Sequence, residues 1–196
     1  SRISYEAGEV PQNWKEDFYN MYLETERSKG IYSELASKIR HQGKEKGLSE
    51  QEVPELVASF VQSFPYDHEL AGKILNDPRS ASMKYPYEVL YENKGTCGGK
   101  SFLAVLLFEE LGYGTALFEF EEDKHLAAGI KCSPQYSTYD SGYCYAETTI
   151  EGYPLGIIPE SSPTGSEAAN LPTLKRSTST QAQNIETLGE SEVYRK

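Results

Sequence analysis

The sequence predicts an α+β domain, with helices packed against a small antiparallel sheet. Apolar residues recur at three- and four-residue steps in the first half, whereas residues 115–150 alternate apolar and polar positions in short runs between turns. Size agrees, because 196 residues with 38% apolar content suffice for one core plus an appendage.

In order, Ser1 to Pro11 has no period and reads as an extended arm. Asn13 is a good N-cap for a first helix whose Trp14, Phe18, Met21, Tyr22 and Thr25 follow one face before Gly30 ends it. A second helix from Ile31 continues through Leu35 and Ile39, and the polar HQGKEKG after it reads as a solvated linker. Ser49 and Glu52 fit a capping box for a third helix, but Pro54 pushes its start toward Val53 and leaves that boundary open. Leu56, Val57, Phe60, Val61 and Phe64 supply its buried stripe, and Pro65 closes it.

Tyr66 to Tyr85 is loosely patterned and reads as a long loop. A helical pattern begins near Thr96 and stops at Gly112, with Phe102, Leu103, Leu106, Leu107 and Leu111 on a stripe that makes it central. Strands follow over Thr115 to Glu122, from His125 through HLAAGIK, and over Tyr143 to Ile150, the last two joined by a hairpin loop from Cys132 to Gly142. YPLGIIPE adds a short edge strand. From Ser161 the composition turns to Ser, Thr, Gln, Glu and Pro, which cannot repay ordering entropy by burial and reads as a tail. The expected division is 1–48, an arm and helices packing on the core; 49–160, the core; and 161–196, a largely irregular tail or linker.

The chemistry gathers between Cys97 and Thr149. With Thr96 as N-cap, Cys97 lies in the first helical turn, among N–H groups without intrahelical partners and at the positive end of the macrodipole, where a thiolate is stabilised. Gly98 and Gly99 cost helix stability there, so substrate or backbone must approach closely. If the second and third strands pair with His125 opposite Glu147, both side chains share a face, and the carboxylate holds an imidazole whose other nitrogen meets Cys97. A buried cysteine, a surface histidine and a rim carboxylate are the ordinary readings of each residue alone; the helix-strand-strand order favours a Cys-His-Glu triad.

Residues Glu55 to Pro159 resemble the transglutaminase-like superfamily of papain-related cysteine enzymes, specifically its microbial branch. The resemblance rests on the proline-tyrosine lead-in Pro86-Tyr87, the glycine-flanked Cys97 at a helix start, the leucine-rich helix ending in LGY, His125 on the next strand but one, and Glu147 followed by two threonines. That family has G-D-C before the helix and aspartate as third residue; here they are Gly95-Thr96-Cys97 and Glu147. The resemblance implies acyl transfer at a peptide or side-chain amide, as a protease, amidase or transglutaminase, with a catalytically inactive binding or scaffold module as the alternative. It also implies an oxyanion contribution from a helix upstream of the cysteine, for which Gln62 matches by position. Tyr66, Tyr85, Tyr87 and Tyr91 stand near the expected cleft, where a phenol beside the thiol can donate to an oxyanion, although amphipathic packing at the cleft rim is the commoner use.

Cys132 and Cys144 fall off the catalytic face. In the His125–Glu147 register Cys144 opposes Ala128, leaving Cys132 about 13 Å further along, beyond the roughly 7 Å a disulfide spans, unless a bulge closes the gap. Three cysteines without a C-x-x-C pair make a zinc site the weaker alternative. No metal or organic cofactor is expected. A dispersed net charge of −11 argues against nucleic acid as partner, and a peptide or protein substrate is expected instead. No run of about 18 apolar residues spans a membrane, but the chain opens on Ser1, so an anchor or signal can precede it and an extracytoplasmic or tethered placement is favoured.

Overall fold

The computed structural model describes residues 14–77, 81–159 and 192–195. Among these, the helices are α1 Trp14–Arg27, α2 Gly30–Glu45, α3 Val53–Gln62, α4 His68–Asn76, α5 Pro86–Glu92 and α6 Cys97–Glu110. The strands are β1 Thr115–Phe120, β2 His125–Lys131, β3 Tyr143–Ala146 and β4 Glu192–Arg195. The expected arm, the Asn13 cap and the tail from Ser161 lie outside the described residues, apart from β4.

α6 is the centre. Every residue from Gly98 to Phe108 is buried, so the helix carries no solvent face and the expected stripe understates it. α1, α2, α3 and α5 pack around it, and β2 lies along it. The sheet order is β3-β2-β1-β4; the first three strands are antiparallel, and β4 runs parallel to β1 at the edge. One sheet face sends Leu117, Leu126, Ala128 and Ile130 into the helical core. The other carries Ala116, Phe118, Ala127, Tyr143 and Tyr145, a second small core reached by Ile158. This is the predicted α+β class.

Several local expectations change. The buried face of α1 is Tyr19, Tyr22, Leu23 and Glu26 rather than the Trp14 to Thr25 row, because Glu26 is drawn inward by the Tyr32 hydroxyl and Lys29. The HQGKEKG linker is largely helix: α2 runs on to Glu45, and buried Gly43 lets α3 approach so closely that an added Cβ would sit 3.3 Å from both Leu56 and Val53. α3 starts at Val53, with Glu52 accepting from the Ser49 amide and hydroxyl one turn earlier. The Tyr66 to Tyr85 loop contains α4, N-capped by Asp67 through the Leu70 amide, and α5 follows it. Residues 153–159 do not form the expected edge strand; they meet β3 through Gly156 N–H and Tyr145 O at 2.7 Å.

The sheet register also differs. Ala128 faces Ala146, so Cys144 opposes Ile130, two positions from where the His125–Glu147 pairing would put it. That shift brings Cys144 next to Cys132, and the two form a disulfide with Cα atoms 5.7 Å apart.

Candidate active site

Cys97 is the first residue of α6, half-buried, with its thiol free. Thr96 occupies the N-cap position, but its side chain caps nothing; Oγ1 is buried without a hydrogen-bond partner among the described residues. The glycines that follow serve close packing. A Cβ at Gly98 would overlap the Met83 sulfur, and one at Gly99 would come within 3.0 Å of the Lys84 carbonyl. The 81–85 segment therefore lies across the first turn of α6, as a cleft wall. It is fixed there by Lys84, whose ammonium pairs with Asp67 at 2.7 Å and Glu92 at 2.9 Å.

His125 opens β2 and is buried. Its Nε2 lies 3.3 Å from Glu147 Oε2 and 3.2 Å from the Tyr145 hydroxyl, leaving Nδ1 for Cys97. β3 ends at Ala146, so Glu147 is just beyond the strand, not in its middle. The reason is its own carboxylate. Oε1 accepts from the Thr148 amide at 2.9 Å, the Thr149 amide at 2.7 Å and the Thr149 hydroxyl at 2.5 Å, turning toward the side chain the N–H groups that a longer strand would give to its ladder. Tyr145 donates to Oε2 at 2.6 Å. Because the register puts Ala127 rather than His125 opposite Glu147, the contact to His125 is diagonal, and the extra methylene of glutamate over aspartate covers that diagonal.

The electrostatics follow from burial set against pairing. Burial alone would raise the Cys97 thiol, but the hydrogen bond and charge of His125, with the Leu126 and Gly98 amides, outweigh it and hold the thiol below its ordinary value. Burial would lower His125, yet Cys97 and Glu147 push it up to about 10. Glu147, which burial would raise, is held at about 2 by His125, Thr149 and Tyr145. The charged forms of His125 and Glu147 are thus both stabilised, and the Cys97 thiol is shifted toward thiolate.

Gln62 is not where the oxyanion expectation put its function. Its Nε2 donates to the Glu147 carbonyl at 2.9 Å and the Tyr153 carbonyl at 2.7 Å, and its Oε1 accepts from the Gly152 amide at 3.0 Å. The whole amide is committed to the loop that carries Glu147, so Gln62 clamps the acid. Tyr66 lines the same cavity as Cys97, and burial together with the Cys97 charge raises the pKa of its hydroxyl. A parallel bridge between Tyr66 and Gly95 holds it there, with Asp67 N–H to Gly95 O at 3.1 Å and Gly95 N–H to Pro65 O at 3.2 Å.

Two participants escaped sequence reasoning. Tyr145 supports both His125 and Glu147; being two residues before Glu147 it shares its face, and that was the available signal. Lys100 is fully buried and ties α6 to the end of α3 through the Phe64 carbonyl at 2.6 Å and the Gln62 carbonyl at 3.3 Å. Burial lowers its pKa to about 8. A buried lysine three residues after Cys97 carries no periodic signature.

Cys97 and His125 open into a cleft of about 380 Å³. Its lining is apolar at Ala71, Ile74 and Leu75 of α4 and at Met83, Phe120 and Leu126, and charged at Lys15, Glu119, Glu121 and Lys124. Among the described residues no group of three or more His, Cys, Asp or Glu side chains is arranged to hold a metal ion, and no helix is long and apolar enough to cross a membrane.

No protein-family model matches the chain, and no curated protein matches it. A solved crystal structure of a TGase is similar to it, at 20% identity and a TM-score of 0.44, over 80% of this chain and 43% of that one. The chain therefore spans less than half the length of that structure's chain.

Proposed function

We propose that the chain is a thiol acyltransferase or hydrolase acting on peptide or side-chain amide bonds. The observation that supports this most is that His125, 3.3 Å from the Glu147 carboxylate, opens with Cys97 into one cleft and lowers the pKa of the thiol. Cys97 thiolate attacks the amide carbonyl carbon, and the C=O electron pair moves onto oxygen. The Cys97 N–H and the Tyr66 hydroxyl donate to that oxyanion, a role for which Tyr66 replaces Gln62. As the tetrahedral intermediate collapses, the imidazolium of His125 gives its proton to the leaving amine and a thioester remains. His125, now neutral, takes a proton from water or from an amine, which attacks the thioester and releases Cys97. Glu147 keeps the ring oriented and stabilises its charged form throughout.

The test is the pH dependence of iodoacetamide alkylation at Cys97, read by mass spectrometry, in the wild type and in His125→Ala. Fast labelling should persist well below the roughly 8.5 of a free thiol and be lost in the variant. Labelling with an ordinary thiol midpoint in both proteins overturns the reading and leaves a binding module.

A further inference from the structure

We propose that the α4 side of the cleft is a substrate subsite for a large apolar side chain flanking the attacked amide. This deepens the function proposed above and rests on it. α4 has the sequence HELAGKILN, yet none of its nine residues is buried, and Leu75 is 56% exposed. An amphipathic helix ordinarily spends its apolar stripe on the core. Here Ala71, Ile74 and Leu75 instead line the cavity that contains Cys97 and His125, with Met83 continuing the wall over the first turn of α6.

The position is built to last without an occupant. Asp67 caps α4 and is gripped by Lys84 and by Lys94 at 3.3 Å, and the bridge of Tyr66 to Gly95 anchors its leading end. At the foot of this wall Thr96 Oγ1, in a residue only 3% exposed, has no hydrogen-bond partner among the described residues and lines the same cavity. A peptide supplies both missing partners: a backbone amide for Thr96 and an apolar side chain for Ile74, Leu75 and Met83. Of the charged lining residues, Lys15 is already held by Glu119 at 2.8 Å and by Glu121.

The experiment measures inactivation of the protein by peptidyl chloromethyl ketones, Cbz-Xaa-Gly-CH2Cl with Xaa as Phe, Leu, Ala, Glu or Lys, where the Cys97 sulfur displaces chloride. Each rate constant is divided by that for iodoacetamide. The expected result is that Phe and Leu probes react about tenfold or more faster than Ala and Glu probes, the discrimination an apolar pocket gives for a few methylenes. Leu75→Glu, at an exposed position, should lower that ratio below about threefold, each rate being divided by the variant's own iodoacetamide rate; Met83→Ala should lower it in the same direction. Fast iodoacetamide labelling with a flat profile across the five probes, or a profile untouched in both variants, overturns the subsite alone. Slow, pH-ordinary iodoacetamide labelling overturns the proposed function and the subsite with it.

Discussion

Replacing Gln62 by leucine separates a clamp from an oxyanion donor. Leucine keeps most of the volume but deletes a buried amide that makes three hydrogen bonds, to the Glu147 and Tyr153 carbonyls and from the Gly152 amide. At about 1 kcal/mol for each partner left unpaired, the cost is about 3 kcal/mol. For a chain of this size that lowers the thermal midpoint by about 6–12 °C. Urea unfolding followed by the fluorescence of Trp14, the single tryptophan, measures it directly. The same variant should label more slowly at Cys97 near neutral pH, because the loop that presents Glu147 to His125 is loosened. A variant within about 0.5 kcal/mol of wild type, with normal labelling, would refute the clamp and return Gln62 to the role its sequence position suggested.

Glu147→Gln should remove part of the acid limb of the stability profile. The folded value of Glu147 is depressed to about 2 from 4.5, so its contribution is complete above pH 4.5 and is lost as pH falls toward 2; the variant's unfolding midpoint should be flatter across that window in an acid titration. Tyr66→Phe keeps the ring and removes the hydroxyl, so acyl transfer from an activated ester should fall by about 10- to 100-fold while folding is retained, measured by turnover and circular dichroism. Cys132→Ser with Cys144→Ser opens a loop of 12 residues and should cost about 3 kcal/mol in chemical denaturation, matched by the reduced wild type.

The parts of the fold carried by periodicity were legible. α6 and β2 stand where the apolar spacing and the turn before His125 put them, Cys97 and His125 line one cavity, and Glu147 lies 3.3 Å from His125. What escaped was decided by tertiary contacts. Nothing local says that Gly43 continues a helix; only the approach of Leu56 and Val53 explains it. α4 was hidden because its apolar residues face a cavity, so its stripe has no packed partner to lengthen it. β3 stops before Glu147 because that carboxylate draws the following amides to itself, a competition between side chain and ladder that alternation cannot express. Gln62 was placed correctly near the site and given the wrong partner, since position along a helix does not say which way an amide points.

The five residues from Gln62 to Tyr66 bear on both ends of the proposed Cys97–His125–Glu147 row. Gln62 grips the acid's loop, Tyr66 stands at the sulfur, and between them the carbonyls of Gln62 and Phe64 are pinned to α6 by Lys100. One short stretch therefore meets the loop of Glu147 at one end and the cavity of Cys97 at the other. An insertion of a single residue between Gln62 and Tyr66 would uncouple them, leaving each group intact and the alignment lost.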